Sequence, residues 1–90
     1  MTYEFKASPT FWKAFHALPL AQQEKARTVF KIFRANPFDP SLRVHKINKL
    51  SARYGCTILA VEIGGDLRSV FYRDGNRIIS VDIGTHDIYK

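Results

Sequence analysis

Disulfide stabilisation is excluded first, because the chain has a single cysteine, Cys56. A lone thiol closes no internal loop, so burial and hydrogen bonding must hold the fold. The residues around Cys56 read as a buried strand. No apolar run approaches the roughly 20 residues that a bilayer-crossing helix needs. The N-terminal stretch also lacks the charged-then-apolar pattern of a secretory leader, so a cytoplasmic protein without a membrane partner is expected. Only four prolines and five glycines fall among the 90 residues, which leaves long uninterrupted segments for helices and strands. There are no repeats and no low-complexity tract. Acidic residues are scarce, eight against fourteen Lys and Arg, for a net charge of +6.

What the chain does have is apolar bulk. Hydrophobic residues make up 46% of it, with seven Phe and four Tyr. That composition suits a packed globular domain and excludes disorder, and the length suits a single domain spanning 1–90. The positive charge is concentrated between Lys25 and Arg53, where eight basic residues face Asp39 alone. Such a concentration predicts a polyanionic partner, and nucleic acid is the foremost, since neutralised phosphates release counterions.

The pattern along the chain is strand, helix, helix, then three strands. Tyr3–Ala7 alternates apolar with polar. Ser8-Pro9 reads as a helix cap followed by proline in the first turn. Phe11, Phe15 and Leu18 share one face of a short helix. A second helix runs from Pro19 to about Ala35, with Ala26, Val29, Phe30 and Phe33 buried and Arg27, Lys31 and Arg34 on another face. Asn36-Pro37 stops it. From Pro37 to Arg53 the chain is a basic connector without a clear period.

Strands are expected over 56–63, 67–73 and 77–83, with Asp74-Gly75-Asn76 as a hairpin turn. A three-residue turn puts Leu67, Phe71, Ile79, Val81 and Ile83 on the core face. Arg68, Val70, Tyr72, Ser80 and Asp82 then share an open, partly polar face, with Arg68 near Asp82. The resulting fold class is α+β, two N-terminal helices packed on an antiparallel sheet in the order β-α-α-β-β-β.

After the last strand comes Gly84-Thr85-His86-Asp87-Ile88-Tyr89-Lys90, which brings titratable groups to the rim of a sheet. Cleavage of RNA by its own 2′-hydroxyl needs proton transfer and a cation for the crowded phosphorane. Arg68 suits the cation, since its planar fork matches two phosphate oxygens. His86 suits proton transfer near neutrality. Tyr89 can donate a hydrogen bond or stack on a base. His45, Lys46 and Lys49 are candidate phosphate contacts, with His45 a possible second proton-transfer group, and Arg43 and Arg73 add further phosphate contacts. His16, His45 and His86 lack metal-ligand spacing, and Gly64-Gly65 opens no helix to cradle a phosphate. No metal or cofactor is expected.

Four segments in this order carry a family resemblance: Asn36-Pro37, Leu42-Arg43-Val44-His45-Lys46-Ile47, Asp66-Leu67-Arg68-Ser69-Val70-Phe71, and Gly84-Thr85-His86-Asp87-Ile88-Tyr89. The chain resembles RelE/ParE superfamily toxins of bacterial type II toxin–antitoxin systems, in the RelE/HigB-like branch. The resemblance covers essentially all 90 residues. It implies a compact microbial-ribonuclease-like fold, a cognate antitoxin that wraps the toxin, and cleavage of mRNA in the ribosomal A site. The family's central-strand arginine falls on Arg68, its C-terminal histidine on His86 and its terminal aromatic on Tyr89. Its basic connector corresponds to Lys46 and Lys49. The alternatives are a ParE-like inhibitor of DNA gyrase, which needs no proton-transfer residue, and a non-catalytic nucleic-acid-binding module.

Overall fold

In the computed structural model, which describes residues 2–89, the helices begin where local chemistry starts them. Ser8 caps helix α1 (Pro9–Ala17), its hydroxyl accepting a hydrogen bond from the Phe11 N–H at 3.1 Å. The same hydroxyl donates to the Val81 carbonyl at 3.1 Å, tying the helix start to the sheet. Leu18 closes α1, and helix α2 (Leu20–Ala35) follows immediately. Buried Gln23 donates to the carbonyls of His16 and Leu18, which satisfies the backbone left open between the two helices.

Five strands form one sheet in the order β1-β5-β4-β3-β2. They are β1 (Glu4–Ala7), β2 (His45–Lys46), β3 (Leu59–Gly64), β4 (Leu67–Asp74) and β5 (Arg77–Gly84). The expected α+β order is present, with three corrections. First, β1 pairs with β5 in parallel, so the sheet is mixed and only its other pairings are antiparallel. Second, the basic connector is not irregular throughout: it contains a 3-10 turn (Pro40–Leu42), strand β2 and a third helix, α3 (Asn48–Tyr54). Third, β3 starts at Leu59, leaving Cys56 exposed in the loop before it rather than buried in a strand.

The hairpin also differs from the expected register. Asp74 pairs with Arg77, so the turn has two residues, and Gly75 takes the left-handed backbone (φ +61°) its first position requires. A bulge then intervenes, because Phe71 pairs with Ser80 and Val70 with Asp82, leaving Val81 unmatched. Together they shift the far end of the hairpin by two residues. Arg68 lies opposite Gly84 rather than Asp82. Ile79 and Val81 also move from the expected core face to the other side.

Both sheet faces are therefore covered. On one side, α1 and α2 pack Phe11, Phe15, Ala26 and Phe33 over Leu67, Phe71, Ile78 and Ile83. On the other, Leu50 of α3 joins Ile58, Ala60, Val70 and Val81, with Ile88 and Tyr89 packed alongside. The face expected to be open and polar is apolar and largely closed at its centre. Only its rim carries polar chemistry.

Phe71 is fully buried and meets Phe33 edge-to-face at 5.0 Å between ring centroids. Replacing it by alanine leaves a cavity at the centre of the sheet. Phe71→Ala is expected to lose about 3–5 kcal/mol of stability, read as a lower urea midpoint in equilibrium unfolding.

Candidate active site

Arg68 is the first residue to place. It sits at the start of β4 across from Glu62 of β3 and Gly84 of β5. Its side chain is only 11% exposed, so its charge must be met locally. One guanidinium nitrogen donates to the carbonyls of Gly65 (2.8 Å) and Leu67 (3.1 Å). The other lies 3.7 Å from a Glu62 carboxylate oxygen. The expected partner, Asp82, is two residues away along the sheet. Its carboxylate accepts from the Ile83 N–H at 2.8 Å, and burial pushes its pKa up.

The chain leaves β5 at Gly84 and turns through the 3-10 segment His86–Tyr89. Gly84 is close to this segment: a Cβ added there would come within 2.7 Å of an Ile88 methyl. A larger residue would push against Ile88 in the turn that carries His86. Continuing the β4–β5 pairing two residues beyond Arg68 and Gly84 brings Asp66 level with His86. The His86 Nδ1–H donates to an Asp66 carboxylate oxygen. That bond holds the Asp66 carboxyl below the ordinary carboxylate range, fixes the imidazole tautomer and reserves Nε2 for a ligand.

Tyr89 completes the cluster. Its ring meets that of His86 edge-to-face at 5.5 Å. Burial pushes the phenol pKa up, while the neighbouring Arg68 charge opposes that shift and Glu62 and Asp66 reinforce it. Although Arg68 is near enough to favour the phenolate, no well-formed hydrogen bond reaches the buried hydroxyl.

The structure thus brings Arg68, His86 and Tyr89 together and adds two carboxylates, Glu62 and Asp66. The expected phosphate contacts are elsewhere. His45 and Lys46 form β2 at the sheet edge, where His45 pairs with Ala60 and its Nδ1 lies 2.9 Å from the Arg43 carbonyl. Lys49 is exposed on the first turn of α3, and Arg43 is exposed in left-handed backbone at φ 50°. With strands about 4.8 Å apart, β2 is about 10 Å from β4. These four residues flank the Arg68 cluster without entering it. Arg73 is remote: it lies at the hairpin tip, about 16 Å along β4 from Arg68, over the Tyr3 ring and donating to the Gly75 carbonyl.

Two results should follow. Asp66 should titrate below the normal aspartate range in carbon-detected NMR and return toward it in His86→Ala. Because its folded pKa is depressed, the stabilisation from the pair is present at neutral pH and lost as acid protonates the folded carboxylate. Tyr89→Phe removes a buried hydroxyl that lacks a partner, so it is expected to hold or raise stability, by up to about 1 kcal/mol, in urea unfolding.

No family model matches this chain, and neither does any curated protein. Solved structures do match across nearly its full length. A chain of the E. coli DinJ–YafQ toxin–antitoxin complex superposes with a TM-score of 0.71 at 13% identity, covering 98% of this chain and 97% of the other. The archaeal RelE–RelB complex from Pyrococcus horikoshii OT3 gives a TM-score of 0.69 at 18% identity, with 94% and 96% covered. The YoeB dimer from Staphylococcus aureus gives 0.65 at 16% identity, with 96% and 99% covered. At these identities the likeness establishes a shared fold, the one the sequence motifs implied.

Proposed function

We propose that this chain is the toxin of a type II toxin–antitoxin system and cleaves translated mRNA in the cytoplasm, acting in the ribosomal A site. One observation carries the reading. Arg68 is held almost out of solvent by Glu62 and two carbonyls, beside an Asp66–His86 pair and the half-buried Tyr89, whose buried hydroxyl has no well-formed hydrogen bond among the described residues. Ionisable groups drawn together and partly desolvated at one rim are a recurrent mark of a functional site. The toxin complexes that share the fold support the same reading and suggest a cognate antitoxin as partner.

The chemistry follows from the positions. A phosphate entering the rim meets the remaining guanidinium N–H groups of Arg68, which stabilise the extra charge of the phosphorane. The Tyr89 hydroxyl supplies a further donor. His86 uses Nε2 for proton transfer, and Asp66 stabilises the imidazolium as it forms. Attack by the 2′-hydroxyl needs a second proton-transfer group, and the Glu62 carboxylate beside Arg68 supplies it. Arg43, His45, Lys46 and Lys49 flank the rim along β2 and α3, a path for the neighbouring nucleotides. No step requires a metal.

Induced expression followed by primer extension on a well-translated mRNA tests this. Cleavage within codons is expected, reduced about 100- to 10,000-fold by His86→Ala or Glu62→Gln. Arg68→Ala is expected to cost about 100- to 1,000-fold. Native-like urea unfolding of His86→Ala would separate lost chemistry from lost fold. Growth arrest that survives His86→Ala, without mRNA cuts and with DNA-damage signalling, would replace the nuclease by a gyrase inhibitor.

A further inference from the structure

The cations of α2 do not share one surface. Arg27, Lys31 and Arg34 line an aromatic groove between α1, α2 and β1. Lys25 lies outside it and reaches the sheet instead. The next residue, Ala26, is fully buried against Ile63, Leu67 and Ile83, so α2 crosses the sheet here at the end of β3 and the start of β4. Gly64 gives Lys25 its room. A Cβ added at Gly64 would collide with Cε and Nζ of Lys25, so the ammonium rests directly on the glycine. Gly64 pairs with Leu67 and closes the Gly65-Asp66 turn. That turn also supplies the Gly65 carbonyl to Arg68 and the Asp66 carboxylate to His86. It is bracketed by two cations, Lys25 on the helix face of the sheet and Arg68 on the other.

We propose that Lys25 binds a backbone phosphate of the substrate RNA, so that the strand passes from the Arg68 rim over the Gly65-Asp66 turn to the helix face. This deepens the nuclease reading and rests on it. Charge carries the inference. While His86 is neutral, Glu62 and Asp66 outweigh Arg68, and the cluster by itself repels a polyanion. Cations that border it must offset those carboxylates. On the β2 side Arg43, Lys46 and Lys49 do so. On the turn side Lys25 is in place. It is exposed, and among the described residues no carboxylate pairs with it. Its ammonium therefore gives up no ion pair when it takes a phosphate.

A lysine stem can also serve as plain apolar cover over a glycine. The surroundings favour a role for the charge. Gly65 is exposed, and a Cβ added there would meet nothing within 4 Å. The crest of the turn is thus open where a strand would cross it. A phosphate contact at this position holds the strand in register without reading its bases. Lys25 then governs how firmly the chain grips RNA beyond the scissile phosphate, while the chemical step stays with the Arg68 cluster.

The test uses the full chain and a fluorescein-labelled single-stranded oligoribonucleotide of about eight nucleotides. Its 2′-O-methyl groups remove the attacking hydroxyl, so it binds without being cut. Fluorescence anisotropy over a salt series gives affinity and its salt slope. Lys25→Met keeps an unbranched stem over Gly64 and removes the charge. It should weaken binding about two- to fivefold, the worth of one exposed ion pair, and lower the slope of log K against log salt by about 0.7. Lys25→Arg should restore both. Arg73→Met, at the remote hairpin tip, should change neither, and a dinucleotide too short to cross the turn should not respond to Lys25→Met. Native-like unfolding midpoints would show that the variants are folded. An unchanged slope, an equal effect of Arg73→Met, or an equal loss with the dinucleotide would overturn the contact. Lys25-dependent binding by a chain that cleaves no RNA would refute the nuclease reading and leave the phosphate contact standing.

Discussion

The register between β4 and β5 is the constraint on which this structure depends. Two features set it: a two-residue turn at Gly75-Asn76 and a bulge at Val81. The turn alone would leave the hairpin ends one residue out of step, and a one-residue slip reverses every side chain between faces. The bulge absorbs that step. It keeps Phe71, Ile78 and Ile83 under the helices and sends Val81 to pack with Leu50 of α3. The same shift carries Arg68 past Asp82 to Gly84, and Asp66 into line with His86. Core packing and rim chemistry are thus fixed by one irregularity, the usual place for a sheet to re-aim a side chain.

A second consequence concerns charge. In one dimension the basic residues from Lys25 to Arg53 form a single block, which suggests a single polyanionic partner. The fold divides them. Arg27, Lys31 and Arg34 of α2 border the aromatic groove on one sheet face. Arg43, His45, Lys46 and Lys49 follow the turn after α2 and border β2 and α3. One half borders an aromatic groove whose lining holds no Asp or Glu among the described residues; the other flanks a guanidinium at a sheet rim. Net charge is a sound argument about the sign of a partner, but it carries no information on how many surfaces share the charge.

Much of this was legible in the residues. The Ser8 cap, both long helices and the three C-terminal strands follow from local periodicity and capping, and the structure contains them. The parallel pairing of β1 with β5 was not legible, because nothing in Tyr3–Ala7 states which strand, 73 residues later, it will meet. Helix α3 was missed for a local reason. It has seven residues, its N-cap is Ile47 with no side-chain hydrogen bond, and its clearest signal is Gly55 closing it in left-handed backbone (φ 71°). The site was half legible. Arg68, His86 and Tyr89 were chosen for their chemistry, whereas Glu62 and Asp66 become visible only through strand pairing. The expected three-residue turn assumed a regular ladder, and one unpaired residue, Val81, defeats that assumption.

The electrostatics of the rim explain why those two carboxylates matter. A guanidinium that is 11% exposed cannot rely on water, and a single ion pair at 3.7 Å compensates its desolvation incompletely. Two backbone carbonyls supply part of the difference. Both lie at or beside the β3–β4 turn, the turn that also presents Asp66 to His86. Positioning the cation and orienting the imidazole are therefore not independent: both depend on the path of Gly65-Asp66-Leu67. Tyr89 packs over this arrangement, its buried hydroxyl beside the Arg68 charge. The folded chain thus holds the guanidinium, the imidazole and the phenol together through one turn and one strand pairing.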